Sequence, residues 1–144
     1  MALPDPEIAL KVARGVCRHL EELGYGALTE FSLGNGRRAD VIAMNEKGDT
    51  TIVEIKSSLV DFQTDAKWPE YRDYCDYFYF AVPIGFPREI IPESCGLIVA
   101  DEYGAEILRE SGLLAMNGSR RKAQLLRFAV TASQRLRALV DPGI

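Results

Sequence analysis

Residues 52–58 read IVEIKSS, and Glu54 and Lys56 are the two charged side chains in this strand-forming run. β-Branched residues favour an extended chain, and side chains alternate along a strand, so Glu54 and Lys56 share a face with Ile52. Burying a charge is costly unless the charge is paired or binds a metal. The run therefore predicts either an exposed edge strand or one half of a catalytic site.

Two upstream acids decide between these interpretations. If GNG and NEKGD are hairpin turns centred on Asn35 and Lys47, Glu30 lies opposite Asp40 and Asp40 lies opposite Glu54. Opposed residues in antiparallel strands have Cβ atoms about 4.5–5.5 Å apart, and like charges placed there are destabilising. A divalent cation bound by oxygen ligands would compensate. The spacing favours a metal site, although a slip of one residue in register would move a carboxylate to the other face.

The elements that must position these acids follow the hydrophobic periodicity. DPEIALKVARGVCRHLEELG predicts an amphipathic helix, with Asp5 as its N-cap, Pro6 in its first turn and Gly24 at its end. Three strands follow: YGALTEFSL, RRADVIAM and TTIVEIKSS. TDAKWPEYRDYCD predicts a second helix, despite Pro69, and YFYFAV a fourth strand. GLIVAD and AEILRE predict a hairpin, before a long closing helix in SRRKAQLLRFAVTASQRLRALV. We expect one α/β (α+β) domain over residues 1–144, built on a single mixed sheet.

The composition is that of an ordinary globular chain, with 144 residues, 47% hydrophobic and 26% charged. No apolar run is long enough to cross a bilayer, and the N-terminus lacks the plan of a signal peptide. Cys17, Cys75 and Cys95 form no CxxC, so we expect reduced thiols in a cytoplasmic protein. Residues 119–144 hold six cations and one acid, a charge of +5, which leaves −9 on the rest of a chain whose net charge is −4. This basic segment would serve a polyanion or an acidic protein partner, or would simply be solvated.

The pairing of RAD (Asp40) with VEIK (Glu54 and Lys56), fourteen residues apart on successive strands, resembles the PD-(D/E)XK nuclease superfamily, whose core is restriction-endonuclease-like. The predicted order of helix, three strands, helix and strand is similar too. The longer string RRADVIA…IVEIKSSLVDFQTDAKWPEYRDYCDYFYFAVP resembles the MmcB-related family of bacterial DNA-repair proteins, over nearly the whole chain. One departure is Ala39, which stands where the superfamily motif has proline.

The resemblance implies that Asp40 and Glu54 hold Mg²⁺ or Mn²⁺, with the backbone carbonyl of Ile55 as a third ligand. It also implies that Lys56 lies near the attacking water and stabilises the transition state. Glu30 either joins the metal shell or pairs with one of two neighbouring arginines, Arg37 or Arg38.

A DNA surface is also implied. Lys67 and Tyr71, four residues apart, would point polar groups at the scissile phosphate, as in similar nucleases. Asp65 would cap their helix, and Trp68 is expected in the core. Ser58 would bind phosphate or terminate its strand. The closing helix would dock through five apolar residues and expose a basic stripe. The apolar set is Leu125, Phe128, Ala132, Leu136 and Leu139, and the candidate phosphate contacts are Arg120, Arg121 and Arg127, beside Gln124.

These features predict a metal-dependent nuclease that acts on DNA in repair. The alternative is a non-catalytic accessory that binds a DNA structure or another repair protein. Dimerisation would suit a nuclease that cuts both strands, but no sequence feature establishes it.

Overall fold

The computed structural model describes residues 5–143. It has three α-helices, at Pro6–Glu22 (α1), Leu59–Thr64 (α2) and Gly118–Val140 (α3). Two 3₁₀ helices occupy Trp68–Tyr74 and Arg88–Ile90. The strands are Gly26–Ser32 (β1), Arg38–Met44 (β2), Thr50–Ile55 (β3), Tyr77–Val82 (β4), Gly96–Ala100 (β5) and Ala105–Arg109 (β6). The predicted α/β class and order of strands are confirmed.

The six strands form one mixed sheet in sequence order, β1 to β6. β1, β2 and β3 are antiparallel, β4 and β5 run parallel to β3, and β6 returns antiparallel to β5. Val41 pairs with Thr29 on one side and with Val53 on the other. These pairs have the register that the two turns predict. Asp40 and Glu54 therefore lie directly beyond Val41 and Val53, the last pair between β2 and β3.

Each face of the sheet has its own core. α1 covers one face with Val12, Val16 and Leu20, as its periodicity predicts. Asp5 caps it by accepting hydrogen bonds from the backbone N–H groups of residues 7 and 8. Gly15 allows α1 to approach the turn between β5 and β6, because a Cβ there would overlap two backbone carbonyl oxygens.

The opposite face carries an aromatic core. The Trp68 ring stacks on Phe78 and meets Phe80 edge to face, at centroid distances of 6.0 and 5.3 Å. Trp68 is therefore a packing residue, as expected. Ile42 and Ile52 lie in the same core, which places Glu54 and Lys56 on this face of β3.

The predicted helix over residues 64–76 is wrong in extent and type. α2 begins earlier, capped by Ser58, and ends at Thr64. The second piece is the 3₁₀ helix Trp68–Tyr74, which has Pro69 in its first turn. The chain leaves the helical conformation at Asp65, which has φ −89° and ψ 105°, so the α-helix ends before it reaches Trp68 and Pro69.

The predicted docking of α3 is also largely wrong. Phe128 packs on Phe31, but Leu136 and Leu139 are 60% and 80% exposed. Polar side chains anchor the helix instead. Gln124 is buried against the carbonyl oxygen of Tyr74, and Arg135 donates to the carbonyl oxygens of residues 29 and 30.

Within residues 5–143, no helix is both long enough and apolar enough to span a membrane. Cys17, Cys75 and Cys95 are all free thiols.

Candidate functional site

Asp40 and Glu54 are locked together where the ladder between β2 and β3 ends. The backbone N–H of Asp40 donates to Glu54 Oε2 at 2.8 Å. The backbone N–H of Ile55 donates to Asp40 Oδ2, also at 2.8 Å. The two carboxylates take the place of the next backbone hydrogen bonds of the ladder, and one oxygen of each is thereby fixed.

Burial makes this pair of acids electrostatically unfavourable. Glu54 is 4% exposed, and burial followed by the charge of Asp40 raises its pKa well above the usual range. The N–H of Asp40, the Tyr71 hydroxyl and Lys56 oppose this shift without cancelling it. Burial also raises the pKa of Asp40, against the hydrogen bond from Ile55. A bound cation would stabilise both ionised carboxylates, which neutral surroundings cannot do.

Lys56 is nearly buried and is paired with two acids that lie beyond β3. Its ammonium nitrogen lies 2.7 Å from Asp65 Oδ2 and 3.8 Å from Asp61 Oδ1, and the residue is 7% exposed. Burial disfavours the ionised form of Asp65, but the hydrogen bonds from Lys56 and from two backbone N–H groups outweigh it and lower its pKa. The two ion pairs therefore hold the side chain of Lys56 in one place.

Asp61 is the residue that sequence reasoning missed. A recognisable signal was present, because Ser58 followed by Asp61 has the spacing of a helix capping box. Ser58 Oγ accepts a hydrogen bond from the N–H of Asp61, whose carboxylate reaches back to the N–H of Ser57 at 3.0 Å. The Ser58 hydroxyl thus caps α2, and its contact with phosphate stays a prediction.

Asp65 connects Lys56 to the 3₁₀ helix Trp68–Tyr74. Its Oδ1 accepts from the backbone N–H groups of Lys67 and Trp68, at 2.8 and 3.1 Å, just before the 3₁₀ helix, whose N-cap is Lys67. Lys67 and Tyr71 both border the site, although a 3₁₀ helix does not stack residues four apart. The Tyr71 hydroxyl donates to the carbonyl oxygen of Arg38 at 3.1 Å. Burial and then Glu54 raise the pKa of Tyr71, which keeps it a neutral donor.

Glu30 reaches the same cavity but does not complete a cluster. It has φ 48°, an uncommon value for a non-glycine residue, and its carbonyl oxygen binds Arg135 at 2.9 Å. Among residues 5–143, no three acidic, histidine or cysteine side chains are close enough to hold a metal. Arg37 is paired with Glu70 at 3.0 Å, so the predicted alternative of a bond between Glu30 and Arg37 is wrong.

Arg121 of α3 lies away from the two acids. Arg121 forms a two-armed ion pair with buried Asp76, at 2.6 Å for each arm, and donates to the carbonyl oxygen of Gly48, just before β3. Glu54 is four residues further along that strand than Thr50, or roughly 13 Å. Arg120 covers the Tyr74 ring, and Arg127 is exposed. Arg121 therefore holds the fold together and is not free to bind phosphate as predicted.

One cavity of about 680 Å³ gathers the site residues. Asp40, Glu54 and Lys56 line it together with Asp61 and Asp65. α1 forms an apolar wall of the cavity, and three exposed cations come from separate elements. The wall includes Pro6, Ala9, Leu10 and Ala13, and the cations are Arg14, Arg38 and Lys67.

Comparisons with known proteins agree with this architecture. The family described as DNA repair protein MmcB-like matches residues 3–143. A solved structure described as the SPO1766 protein of unknown function from Silicibacter pomeroyi is similar, with a TM-score of 0.92 and 42% identity. That match covers 96% of this chain and 94% of the other. Curated proteins gave no match. The chain therefore belongs to the MmcB-like family of DNA repair proteins, and this membership supports a role in DNA repair.

Proposed function

We propose that the protein is a metal-dependent deoxyribonuclease with a PD-(D/E)XK-type site, which hydrolyses phosphodiester bonds during DNA repair. The observation that carries the proposal is the meeting of Asp40, Glu54 and Lys56 in one cavity. Two acids and a cation on adjacent strand ends are what phosphodiester hydrolysis requires: ligands for a metal, and a positive group beside the nucleophile.

The donor set fits Mg²⁺ or Mn²⁺. Mg²⁺ is commonly bound through one or two carboxylates and keeps several waters, so Asp40 and Glu54 suffice as its anionic ligands. The carbonyl oxygen of Ile55 would be a third protein ligand, and Glu30 would act through water. When bound, the metal supplies Lewis-acid stabilisation of charge on the phosphate oxygens.

The remaining chemistry belongs to the side chains of this protein. Lys56 orients the attacking water and stabilises negative charge that develops on the phosphate. Asp65 and Asp61 keep its ammonium group at the edge of the cavity. Lys67 contacts the phosphate from the start of the 3₁₀ helix, and Tyr71 lines the cavity beside the Glu54 carboxylate.

Cleavage of a panel of DNA structures in Mg²⁺ or Mn²⁺ tests the proposal. We expect wild type to cut at least one substrate, and Lys56→Ala and Asp40→Asn each to lower kcat by a factor of about 10² or more. Lys47→Ala is the matched control, because Lys47 is exposed in the turn before β3 and should leave the rate unchanged. Metal-dependent cutting that survives both site substitutions would sink the proposal.

A second candidate is a non-catalytic accessory that binds DNA or a repair partner. The exposed apolar side chains of α3 favour it, since Leu126, Leu136 and Leu139 are 61%, 60% and 80% exposed. Absence of cleavage by wild type on every substrate, together with measurable DNA binding, would select this function.

A further inference from the structure

We propose that the cavity takes a single unpaired DNA strand and does not take intact duplex. The inference rests on the proposed nuclease function and specifies its substrate class. The two central side chains of the site are deeply buried, because Glu54 is only 4% exposed and Lys56 only 7% exposed. A phosphodiester can reach these groups only by entering the cavity, because neither side chain extends to the outer surface.

The size of the cavity restricts what can enter. Its volume of about 680 Å³ lies within the range of roughly 300–1,000 Å³ that is typical of pockets for one small molecule. A short stretch of one strand fits such a space. Paired DNA has to turn a nucleotide out of its stack to fill this space, which costs a few kilocalories per mole.

The wall that faces the acids also suits an unpaired strand. Its apolar part is formed by Pro6, Ala9, Leu10 and Ala13 on α1, and Leu10 is 72% exposed. These four side chains gain contact with apolar ligand surface, which in DNA means the deoxyribose and the faces of the bases. Duplex DNA covers its base faces by stacking, whereas a single strand exposes them.

The charges around the cavity complement a strand that passes across it. Arg14, Arg38 and Lys67 are exposed, come from three different elements, and form no ion pair among residues 5–143. Five acidic side chains and Lys56 line the cavity itself, so it repels phosphates other than one held at a metal. The three cations would therefore bind the flanking phosphates.

Fluorescence anisotropy of a labelled oligonucleotide, alone and annealed in a blunt duplex, measures the preference in Ca²⁺. We expect wild type to bind the single strand at least tenfold more tightly. Leu10→Asp should lower that affinity about tenfold, whereas Leu23→Asp, at the other end of the same helix and also exposed, should not. Arg38→Gln should reduce the slope of log K against log salt by about 0.7, the value for one phosphate of a single strand.

Parallel cleavage assays in Mg²⁺ separate this inference from the nuclease proposal. Cleavage of duplex as fast as of single strand would overturn the inference and leave the nuclease standing. Absence of cleavage, with the preference for binding single strands intact, would overturn the nuclease proposal and leave the inference about the substrate standing. Equal binding of both forms, binding of neither, or equal effects of Leu10→Asp and Leu23→Asp would each overturn the inference.

Discussion

Replacing Arg121 by alanine distinguishes a structural arginine from a DNA-binding one. Asp76, whose side chain is 3% exposed, accepts both arms of Arg121 and the backbone N–H groups of Thr50 and Met116 at 2.8 and 3.0 Å. Breaking a buried ion pair by removing one partner costs about 3–5 kcal/mol. Because the two N–H groups remain and Arg121 is 28% exposed, we expect the lower end, about 3 kcal/mol.

Urea denaturation at pH 7 measures this loss, and a thermal scan should show Tm lower by about 10 °C. Arg127→Ala is the control, because Arg127 is exposed on the same helix, and its effect should stay within about 0.5 kcal/mol. In a double-mutant cycle with Asp76→Asn, the double mutant should lose less stability than the sum of the two single losses, by at least about 1 kcal/mol. A loss below about 1 kcal/mol for Arg121→Ala would refute the structural role.

The same pair sets a pH dependence. Burial alone would raise the pKa of Asp76, but Arg121 and the backbone N–H groups outweigh it and lower the pKa below its ordinary value of 3.8. The ionised pair therefore stabilises the fold fully above that ordinary value, and the contribution is lost as pH falls through the lowered pKa. Arg121→Ala should narrow the difference in stability between pH 7 and pH 3.

Three further predictions concern the site and the fold. Glu54→Gln should stabilise the metal-free protein at pH 8 more than at pH 4.5, because the raised pKa of Glu54 makes its ionised form unfavourable in the folded protein. Urea denaturation at both pH values measures the two changes in stability, and equal changes would contradict the prediction. Asp65→Asn retains an oxygen that can accept the backbone N–H groups of residues 67 and 68, but it loses the charge that holds Lys56. Acylation of Lys56, measured by mass spectrometry, should therefore rise several-fold. An unchanged rate of acylation would show that Asp65 does not hold Lys56. Gly15→Ala should lower Tm by more than 10 °C, because its Cβ would overlap backbone, whereas Gly112→Ala, which meets no atom, should change little.

The path of the chain up to the site could be predicted from local patterns. Alternating hydrophobicity identified β1, β2 and β3, and the short turns between them set the register. In an antiparallel pair joined by a short turn, the partner of each residue follows from the turn itself. The amino-acid sequence was therefore enough to place Asp40 and Glu54 opposite each other.

Contacts between residues distant in sequence could not be predicted in this way. Nothing local to α3 indicates that Arg121 meets Asp76, forty-five positions earlier, or that Arg135 meets the carbonyl oxygen of Thr29. The helical periodicity of α3 predicted an apolar docked face, but polar anchors fixed the rotation of the helix instead. Hydrophobic pattern determines which side can be buried; hydrogen bonds to particular partners decide which side is buried.

The sequence by itself determined the α/β class, the order of strands along the chain and the neighbouring positions of Asp40 and Glu54, because strand periodicity and turn length are local properties. Only the tertiary structure decided the surroundings of those residues. It brought Asp61 and Asp65 to Lys56 and placed Pro6, Ala9 and Leu10 of α1 along the cavity. The physical reason is that burial and charge pairing arise when separate elements pack together, and each element alone leaves its side chains in water.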